Sequence, residues 1–240
     1  MPLPLRARHA GARLLGLFLV AACAGLPAAV RAQAPDALPA PRPTPAAPAA
    51  HGQLRVVHAW AGVPAVAVLV DGAPLRAPLA FGADSGYLPL PAGEYMVAVV
   101  AAGSDAAAPL LSVAVALAAG AARTLVASPA TSGALLLDDL ALAPVGGPAI
   151  ARLVHAAEGA PALELADADG PRLAGPVAPG EASAYADVAP AALTLAARPA
   201  SGGAPLATIP GAVLVADRSY TFVALGPTSG PLTLLGLVDD

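Results

Sequence analysis

The sequence is poor in the residues on which many functional sites depend. It contains no lysine, no asparagine and a single cysteine, Cys23, and only 12% of its 240 residues are charged and 3% aromatic. One cysteine cannot form an internal disulfide. A chain with so few basic residues also lacks the clustered Lys and Arg that nucleic-acid phosphates require. These absences argue against a disulfide framework and against a nucleic-acid-binding protein.

The first 32 residues predict an export signal. Basic residues precede an apolar run from Leu14 to Leu26, and Pro27 ends the run. Such a run is too short for a transmembrane helix of about 20 residues and has the order of a secretory signal peptide. Cleavage after Ala32 is favoured, because small residues precede the cut and a helix breaker lies upstream. The mature chain would then carry no cysteine and no transmembrane segment.

A second cleavage site competes with the first. The segment from Val20 to Cys23 resembles the lipobox of bacterial lipoproteins, in which Cys23 would carry a lipid anchor. The first alternative makes the protein periplasmic, cell-surface or extracellular. The second makes it an exported lipoprotein.

Residues 33–52 predict a disordered linker, since proline and alanine dominate them and no apolar periodicity is present. All 16 acidic residues lie after position 32, whereas four of the 12 basic residues lie before Gln33, so the mature chain keeps eight basic residues and a net charge of −8. It has no basic patch for an anionic membrane. We expect an envelope or extracellular partner that the sequence does not identify.

The folded part of the chain is an internal duplication. Rare residue types recur at a spacing of 97 or 98 positions, which chance matching in an alanine-rich chain does not explain. The matched pairs include Arg55 and Arg152, His58 and His155, Pro64 and Pro161, Gly82 and Gly180, Ser85 and Ser183, and Tyr87 and Tyr185. This predicts repeat 1 at 53–146 and repeat 2 at 149–240, joined by a hinge at Gly146-Gly147-Pro148. Each repeat is expected to fold by itself.

Short strands are indicated within each repeat. Val66, Val68 and Val70 alternate with smaller residues before the turn dipeptide Asp71-Gly72. The alanine-rich segment 112–123 would favour a helix by propensity alone. The matching part of repeat 2, however, contains Pro210-Gly211, which the interior of a helix does not tolerate. We therefore predict an all-β fold of two tandem β-sandwich domains, preceded by a signal peptide and a Pro/Ala-rich linker.

One set of residues carries a family resemblance. In repeat 1 these are Arg55, His58, Pro64, Asp71, Gly72, Phe81, Gly82, Ser85, Tyr87, Leu90, Pro91, Gly93 and Tyr95. The pattern resembles a bacterial secreted family called domain of unknown function 4397, commonly found as tandem copies. The resemblance implies an immunoglobulin- or transthyretin-like β-sandwich at the cell surface and brings no established activity. This chain departs from the family in the loop after His58, where Trp60 to Pro64 contain no acidic residue.

Few side chains are candidates for chemistry. His58 and His155 lack neighbouring metal-ligating residues in the sequence, so we predict structural histidines bonded to backbone, with a ligand or acid–base role as the alternative. Ser85 lacks the G-x-S-x-G context of a hydrolase nucleophile. Two acidic pairs, Asp138-Asp139 and Asp239-Asp240, end equivalent apolar runs. They are expected to be solvated strand ends, although such pairs could also bind calcium or serve a glycosidase.

The sequence therefore assigns no catalytic, cofactor-binding or metal-binding residue and no cofactor. Trp60, in the loop after the first strand, is the one candidate for partner binding, with packing on its own domain as the alternative. Two function classes remain. The preferred one is a non-enzymatic secreted or cell-envelope module with a binding, adhesive or spacer role. The alternative is a cell-envelope hydrolase that uses His58 or His155 with a carboxylate.

Overall fold

The computed structural model describes residues 50–76, 78–104, 108–139, 145–227 and 230–239. The predicted signal peptide, almost all of the predicted linker and Asp240 lie outside these residues. By its internal contacts the chain divides into two units, Met1–Ala46 and Ala47–Asp240. The second unit contains both repeats.

Repeat 1 forms two antiparallel-rich sheets. Its strands are β1 (His51–His58), β2 (Ala65–Val70), β3 (Ala73–Pro74), β4 (Leu79–Ala80), β5 (Leu88–Pro91), β6 (Gly93–Ala101), β7 (Leu111–Leu117), β8 (Ala122–Ser128) and β9 (Gly133–Asp139). Sheet I has the order β3-β2-β6-β7, with β4 also paired to β2, and sheet II has the order β5-β1-β8-β9. A short 3₁₀ turn at Pro129–Thr131 connects β8 to β9.

Repeat 2 has the corresponding arrangement. Its strands are β10 (Ala149–Ala157), β11 (Leu163–Asp167), β12 (Arg172–Val177), β13 (Ala186–Val188), β14 (Ala191–Pro199), β15 (Ala207–Leu214), β16 (Ser219–Gly226) and β17 (Thr233–Val238). Sheet III has the order β13-β10-β16-β17 and sheet IV the order β12-β11-β14-β15.

The two repeats share topology and register. The first strand of each repeat pairs in parallel with a late strand, so that Arg55 lies beside Thr124 and Arg152 beside Thr221. The other principal pairings are antiparallel. The duplication inferred from the sequence is therefore also a duplication of the fold.

Three clusters of buried side chains order the sheets into layers. Sheets I and II enclose one core, around Val56, Val68 and Val99. Sheets III and IV enclose another, around Leu153 and Leu165. The third cluster lies between sheets II and III and joins residues of both repeats; its buried members are Val57, Ala59, Val126, Val154, Ala156, Val223, Leu225 and Leu237. The layer order is thus I–II–III–IV, and the repeats pack face to face through the two inner sheets.

The central strands of sheet III are buried on both faces as a result. Every residue of β10 and of β16 is buried, whereas β2, in outer sheet I, alternates between buried and half-buried positions. A sheet covered on both faces needs apolar or paired residues at every position. This is why Arg55 and Arg152 must find partners where they lie.

The prediction of strands in the alanine-rich segment is confirmed. Residues 112–123 form most of β7, a turn at Gly120 and the start of β8. Asp71-Gly72 forms the predicted hairpin turn, with φ of 48° and 80°. In the described residues no α-helix is present, and no helix there is long and apolar enough to cross a membrane.

Candidate functional site

Both candidate histidines are fully buried, His58 at the end of β1 and His155 two residues before the end of β10. His58 Nε2 is 2.9 Å from the carbonyl oxygen of Val63, and His155 Nε2 is 2.9 Å from that of Pro161. Since a carbonyl only accepts, Nε2 carries the proton in both rings. The Trp60 amide donates to His58 Nδ1 at 3.3 Å, which fixes a neutral tautomer. The predicted bonding of the histidines to backbone is confirmed.

Burial determines the protonation of these rings. It lowers the pKa of His58 and that of His155 below the usual 6.5, and the bond that each ring makes to a carbonyl opposes the effect only in part. Phe81 is an apolar neighbour of His58. The two rings meet edge to face, with 5.8 Å between their centroids and an interplanar angle of 89°. Each histidine therefore ties its loop to the end of a strand as a neutral ring.

Ser85 and its equivalent Ser183 have a similar structural role. Ser85 Oγ accepts from the Val56 amide at 2.9 Å and donates to the Gly86 carbonyl at 2.7 Å. Ser183 Oγ does the same with the Leu153 amide and the Ala184 carbonyl, at 3.0 and 2.8 Å. Both hydroxyls hold a loop against the first strand of their repeat.

The expectation of solvated acidic strand ends is wrong for Asp139 and Asp239. Both side chains are fully buried, with 0% exposure, whereas that of Asp138 is 79% exposed and pairs with Arg123 Nε at 2.7 Å. Neighbouring residues of a strand point to opposite faces, so Asp138 and Asp139 cannot converge on one calcium ion or one glycosidic bond. The face of sheet II that Asp139 occupies is covered by repeat 2.

Asp139 is held by both repeats. Its Oδ1 accepts from Arg152 Nη2 of repeat 2. Its Oδ2 accepts from Thr124 Oγ1 at 2.7 Å and from the Tyr87 hydroxyl at 2.6 Å, both in repeat 1. Arg152 also donates from Nη1 to the Asp138 carbonyl at 3.0 Å. One guanidinium thus binds the carboxyl end of β9 across the interface.

Asp239 repeats this arrangement with the roles of the repeats exchanged. Its Oδ1 accepts from Arg55 Nη2 of repeat 1, and its Oδ2 accepts from Thr221 Oγ1 at 2.6 Å and from the Tyr185 hydroxyl at 2.8 Å. Arg55 Nη1 donates to the Val238 carbonyl at 2.9 Å. The two sets together form a reciprocal polar network, defined by Arg55, Thr124, Tyr87 and Asp139 of repeat 1 and Arg152, Thr221, Tyr185 and Asp239 of repeat 2.

The tyrosines and arginines of this network support each other. Each guanidinium lies 4.5 Å from the centroid of the tyrosine ring of its own repeat, and its Nε donates to the threonine beside it at 2.8 to 2.9 Å. Burial, together with the bond to Asp139, raises the pKa of Tyr87. Burial also raises the pKa of Tyr185, and the charge of Asp239 adds to the effect. Both hydroxyls therefore stay protonated and available as donors.

The charges of the network balance each other in a site that is buried from solvent. Two guanidinium cations face two carboxylates, and each carboxylate accepts three hydrogen bonds. Burial alone would lower the pKa of Arg55, but its bond to Asp239 and the charge of Asp239 outweigh that effect and raise it. Removing one partner of such a pair leaves the other charge buried without compensation, at a cost of about 3 to 5 kcal/mol. The arrangement is suited to fixing one orientation of the repeats.

Further contacts between the repeats at the opposite end of the strands add to this orientation. Ser128 Oγ donates to the Ala156 carbonyl at 2.8 Å across the interface. Gly180 lies so close to the 3₁₀ turn that a Cβ on it would be 2.4 Å from the Ala130 carbonyl oxygen. Its equivalent, Gly82, would meet only the tip of Leu225 at 3.8 Å.

Trp60 is half-buried and packs against the core of repeat 1. It also borders an open cleft of about 590 Å³ whose other walls come from β7 and from the connection between β8 and β9. This geometry favours the packing role that the sequence left as the alternative. The binding role of Trp60 stays a prediction. Among the described residues no group of three His, Cys, Asp or Glu side chains could hold a metal ion.

Sequence reasoning missed the reciprocal network. Its signal was present, because Arg and Tyr recur at the repeat spacing and an Asp follows the last apolar run of each repeat. The recurrence indicates that these residues matter. It does not indicate that Arg55 pairs with the carboxylate of the other repeat, which only the packing of sheets II and III decides.

Comparison with protein families finds a match over part of the chain. Residues 52–166 match the family model described as Domain of unknown function (DUF4397). The matched stretch covers repeat 1, crosses the connection and includes β10 with Arg152. A search of curated proteins finds no match. The chain is therefore similar over this stretch to a family of unknown function, and the similarity assigns no activity to it.

Proposed function

We propose that this protein is a non-enzymatic secreted or cell-envelope module, formed by two tandem immunoglobulin- or transthyretin-like β-sandwiches of the matched family, with a binding, adhesive or spacer role. The observation that supports this most is the use of the recurring polar residues. In both repeats the recurring histidine, serine and arginine, and the buried aspartate after the last apolar run, make structural hydrogen bonds inside the protein. Such residues give a rigid body and leave no assembled reaction centre among the described residues.

The alternative, an envelope hydrolase, would need a carboxylate beside one of the histidines. The hydrogen-bond partners of both rings in the described chain are backbone groups. A catalytic base also works best with a pKa near the ambient pH. Burial lowers the pKa of His58 and of His155 and so moves both away from that pH. This is why the binding or spacer role is preferred.

One incubation compares the two functions. The purified exported protein is mixed with isolated cell-envelope material, and soluble products and pelleted protein are both measured. We expect no release of soluble fragments above the buffer blank. Release that disappears in His58→Gln or His155→Gln would establish the hydrolase instead. Loss of pelleting in Trp60→Ala, at unchanged Tm, would identify Trp60 as a binding residue.

Export is proposed on the sequence of the first 32 residues, and the mass of the mature protein tests it. Cleavage after Ala32 leaves Gln33 as the first residue. A diacylglyceryl group on Cys23 would show that the lipoprotein signal is used, and that the mature protein is anchored to a membrane by its lipid and not released.

A further inference from the structure

The loop after β1 is bonded to both nitrogens of one histidine ring. The Trp60 amide donates to His58 Nδ1 at 3.3 Å, and His58 Nε2 donates to the Val63 carbonyl oxygen at 2.9 Å. The Val63 amide donates in turn to the Trp60 carbonyl oxygen at 3.3 Å. These three bonds close residues 60–63 onto a side chain that is fully buried. The position of Trp60 therefore depends on the protonation state of His58.

Proton uptake by His58 reverses one of these bonds. A neutral imidazole has one donor nitrogen and one acceptor nitrogen, and both nitrogens are donors once the ring is charged. In the charged ring the new N–H at Nδ1 faces the N–H of Trp60, so an attractive contact becomes repulsive. The bond from Nε2 to Val63 persists, because a charged donor makes a stronger hydrogen bond. Protonation therefore detaches the Trp60 end of the loop and keeps its Val63 end attached.

The charged groups around His58 are engaged elsewhere. On the elements that surround the ring, each charged residue has a partner of its own: Arg55 of β1 with Asp239, Arg123 of β8 with Asp138, and Asp84, in the loop beside the end of β1, with the Gly86 amide at 2.7 Å. Residues 59–64, β2 and the 3₁₀ turn carry no titratable residue. Burial lowers the pKa of His58 below the usual 6.5, and the bond to Val63 opposes this only in part. The ring therefore takes up its proton as the pH falls below 6.5, without a carboxylate to hold the charge in place.

Repeat 2 lacks this arrangement at the equivalent histidine. His155 bonds to the carbonyl of Pro161, six positions further on, whereas His58 bonds to a residue five positions further on. With the longer loop, Ala157 remains in β10 beside Gly226, and His155 Nδ1 has no hydrogen-bond partner among the described residues. A proton on that nitrogen displaces no backbone amide. The two histidines are therefore equivalent in position but differ in what their protonation breaks.

Trp60 connects this bond to the cleft of repeat 1. Its side chain borders the cleft of about 590 Å³ whose other walls are β7 and the connection between β8 and β9. That connection is fixed by bonds of its own, since Ser128 Oγ accepts from the Ala130 amide at 3.2 Å and Thr131 Oγ1 donates to the Ser128 carbonyl at 2.8 Å. Neither bond involves a titratable group. Of these walls, the one formed by Trp60 is the wall that acid can move.

We propose that His58 is an acid-sensitive switch for Trp60, in which proton uptake by the ring releases the Trp60 amide and reshapes the cleft of repeat 1 while both sandwiches stay folded. Repeat 2 has no such switch. The inference concerns the position of Trp60 and holds whether or not Trp60 binds a partner.

Tryptophan fluorescence of the purified protein tests the proposal, because Trp60 is the only tryptophan of the chain. The pH is lowered from about 7.5 to about 4.5, which stays above the usual pKa of most carboxylates. The emission shifts to longer wavelength and acrylamide quenches it more strongly, with a midpoint below pH 6.5, while the β-type circular dichroism signal is unchanged. His58→Gln keeps a donor for Val63 but does not titrate, and it abolishes the shift. His155→Gln is the matched control and leaves the shift as it is.

Three results of this titration overturn the proposal. They are emission that does not change with pH, a shift that persists in His58→Gln or is lost equally in His155→Gln, and a shift that coincides with loss of the circular dichroism signal. The last result would mean that acid unfolds the whole protein and does not act on one loop.

A second measurement uses only the unaltered protein and so does not depend on the folding of any variant. In an NMR titration the signals of the Trp60 amide and of the His58 ring move with the same midpoint. A Trp60 amide signal that stays in place while the His58 ring titrates overturns the proposal.

Discussion

Repeat 1 and repeat 2 present equivalent residues to each other and different residues to solvent. Arg55, Tyr87 and Asp139 have counterparts in Arg152, Tyr185 and Asp239, and these form one network across the interface. At the free edges the ion pair of Arg123 with Asp138 in repeat 1 gives way to Tyr220 beside Val238 in repeat 2. The duplicated chain has kept the residues that hold the repeats together, and its outer faces have diverged.

Separating the repeats is expected to have the largest effect. A fragment of residues 50–139 exposes the apolar cluster between sheets II and III and leaves Arg55 without Asp239. Because Asp139 is the equivalent of Asp239, two fragment copies can restore the network, and we expect a fragment dimer by sedimentation velocity. Arg55→Met in the fragment should abolish association. A stable monomeric fragment with the Tm of the whole protein would contradict this and would bear out the prediction that each repeat folds by itself.

Removing one arginine of the network is the next largest change. Arg55→Met and Arg152→Met should each lower the free energy of unfolding by about 3 to 5 kcal/mol, since each leaves a buried carboxylate unpaired. Arg123→Met is the matched control, because its pair with Asp138 is exposed to solvent and should cost less than about 1 kcal/mol. Urea unfolding measures all three. Unequal effects of the two network arginines would mean that the repeats do not contribute equally.

The two equivalent glycines should respond differently to alanine. Gly82 and Gly180 both have positive φ, 77° and 84°, so both variants bear similar backbone strain. Only in Gly180→Ala does the new Cβ meet a backbone oxygen of the other repeat. We expect it to be less stable than Gly82→Ala by about 1 to 3 kcal/mol in urea unfolding. Equal losses would show that the interface yields at this point.

Acid should weaken both repeats to a smaller extent. The pKa of His58 and of His155 is lower in the folded protein than in the unfolded chain, so the unfolded chain binds protons first. The stabilisation is complete above pH 6.5 and is lost as the pH falls below it, by at most about 1.4 kcal/mol per pH unit for each histidine. Urea unfolding between pH 7.5 and 5 measures the slope, which should shrink in His58→Gln and His155→Gln. A slope unchanged in both variants would contradict the assignment.

The local structure could be predicted from the sequence to a considerable extent. The features that were predicted correctly depend on chemistry within a few residues. They are the alternating valines of β2, the Asp71-Gly72 turn and the strands of the alanine-rich segment, which Pro210 at the matching position of repeat 2 indicated. The fate of Asp139 could not be predicted this way. Whether a carboxylate at a strand end meets water or a guanidinium depends on which sheet covers it, and that sheet belongs to the other repeat.

The burial of every residue of β10 and β16 also could not be predicted from the sequence pattern. A strand covered on both faces has no polar alternation to mark it, and an alanine-rich composition hides the difference. The recurrence of Arg55 and Arg152 among the buried residues of β1 and β10 was the available signal. A charge in the middle of a fully apolar strand indicates a partner on the covered face.

Differential scanning calorimetry of the purified protein tests most directly whether the reciprocal network makes the two repeats one cooperative body. We expect a single transition whose calorimetric enthalpy equals its van't Hoff enthalpy, and in Arg55→Met we expect the whole transition to move to lower temperature. Two separate transitions, with Arg55→Met lowering only one of them, would contradict the account.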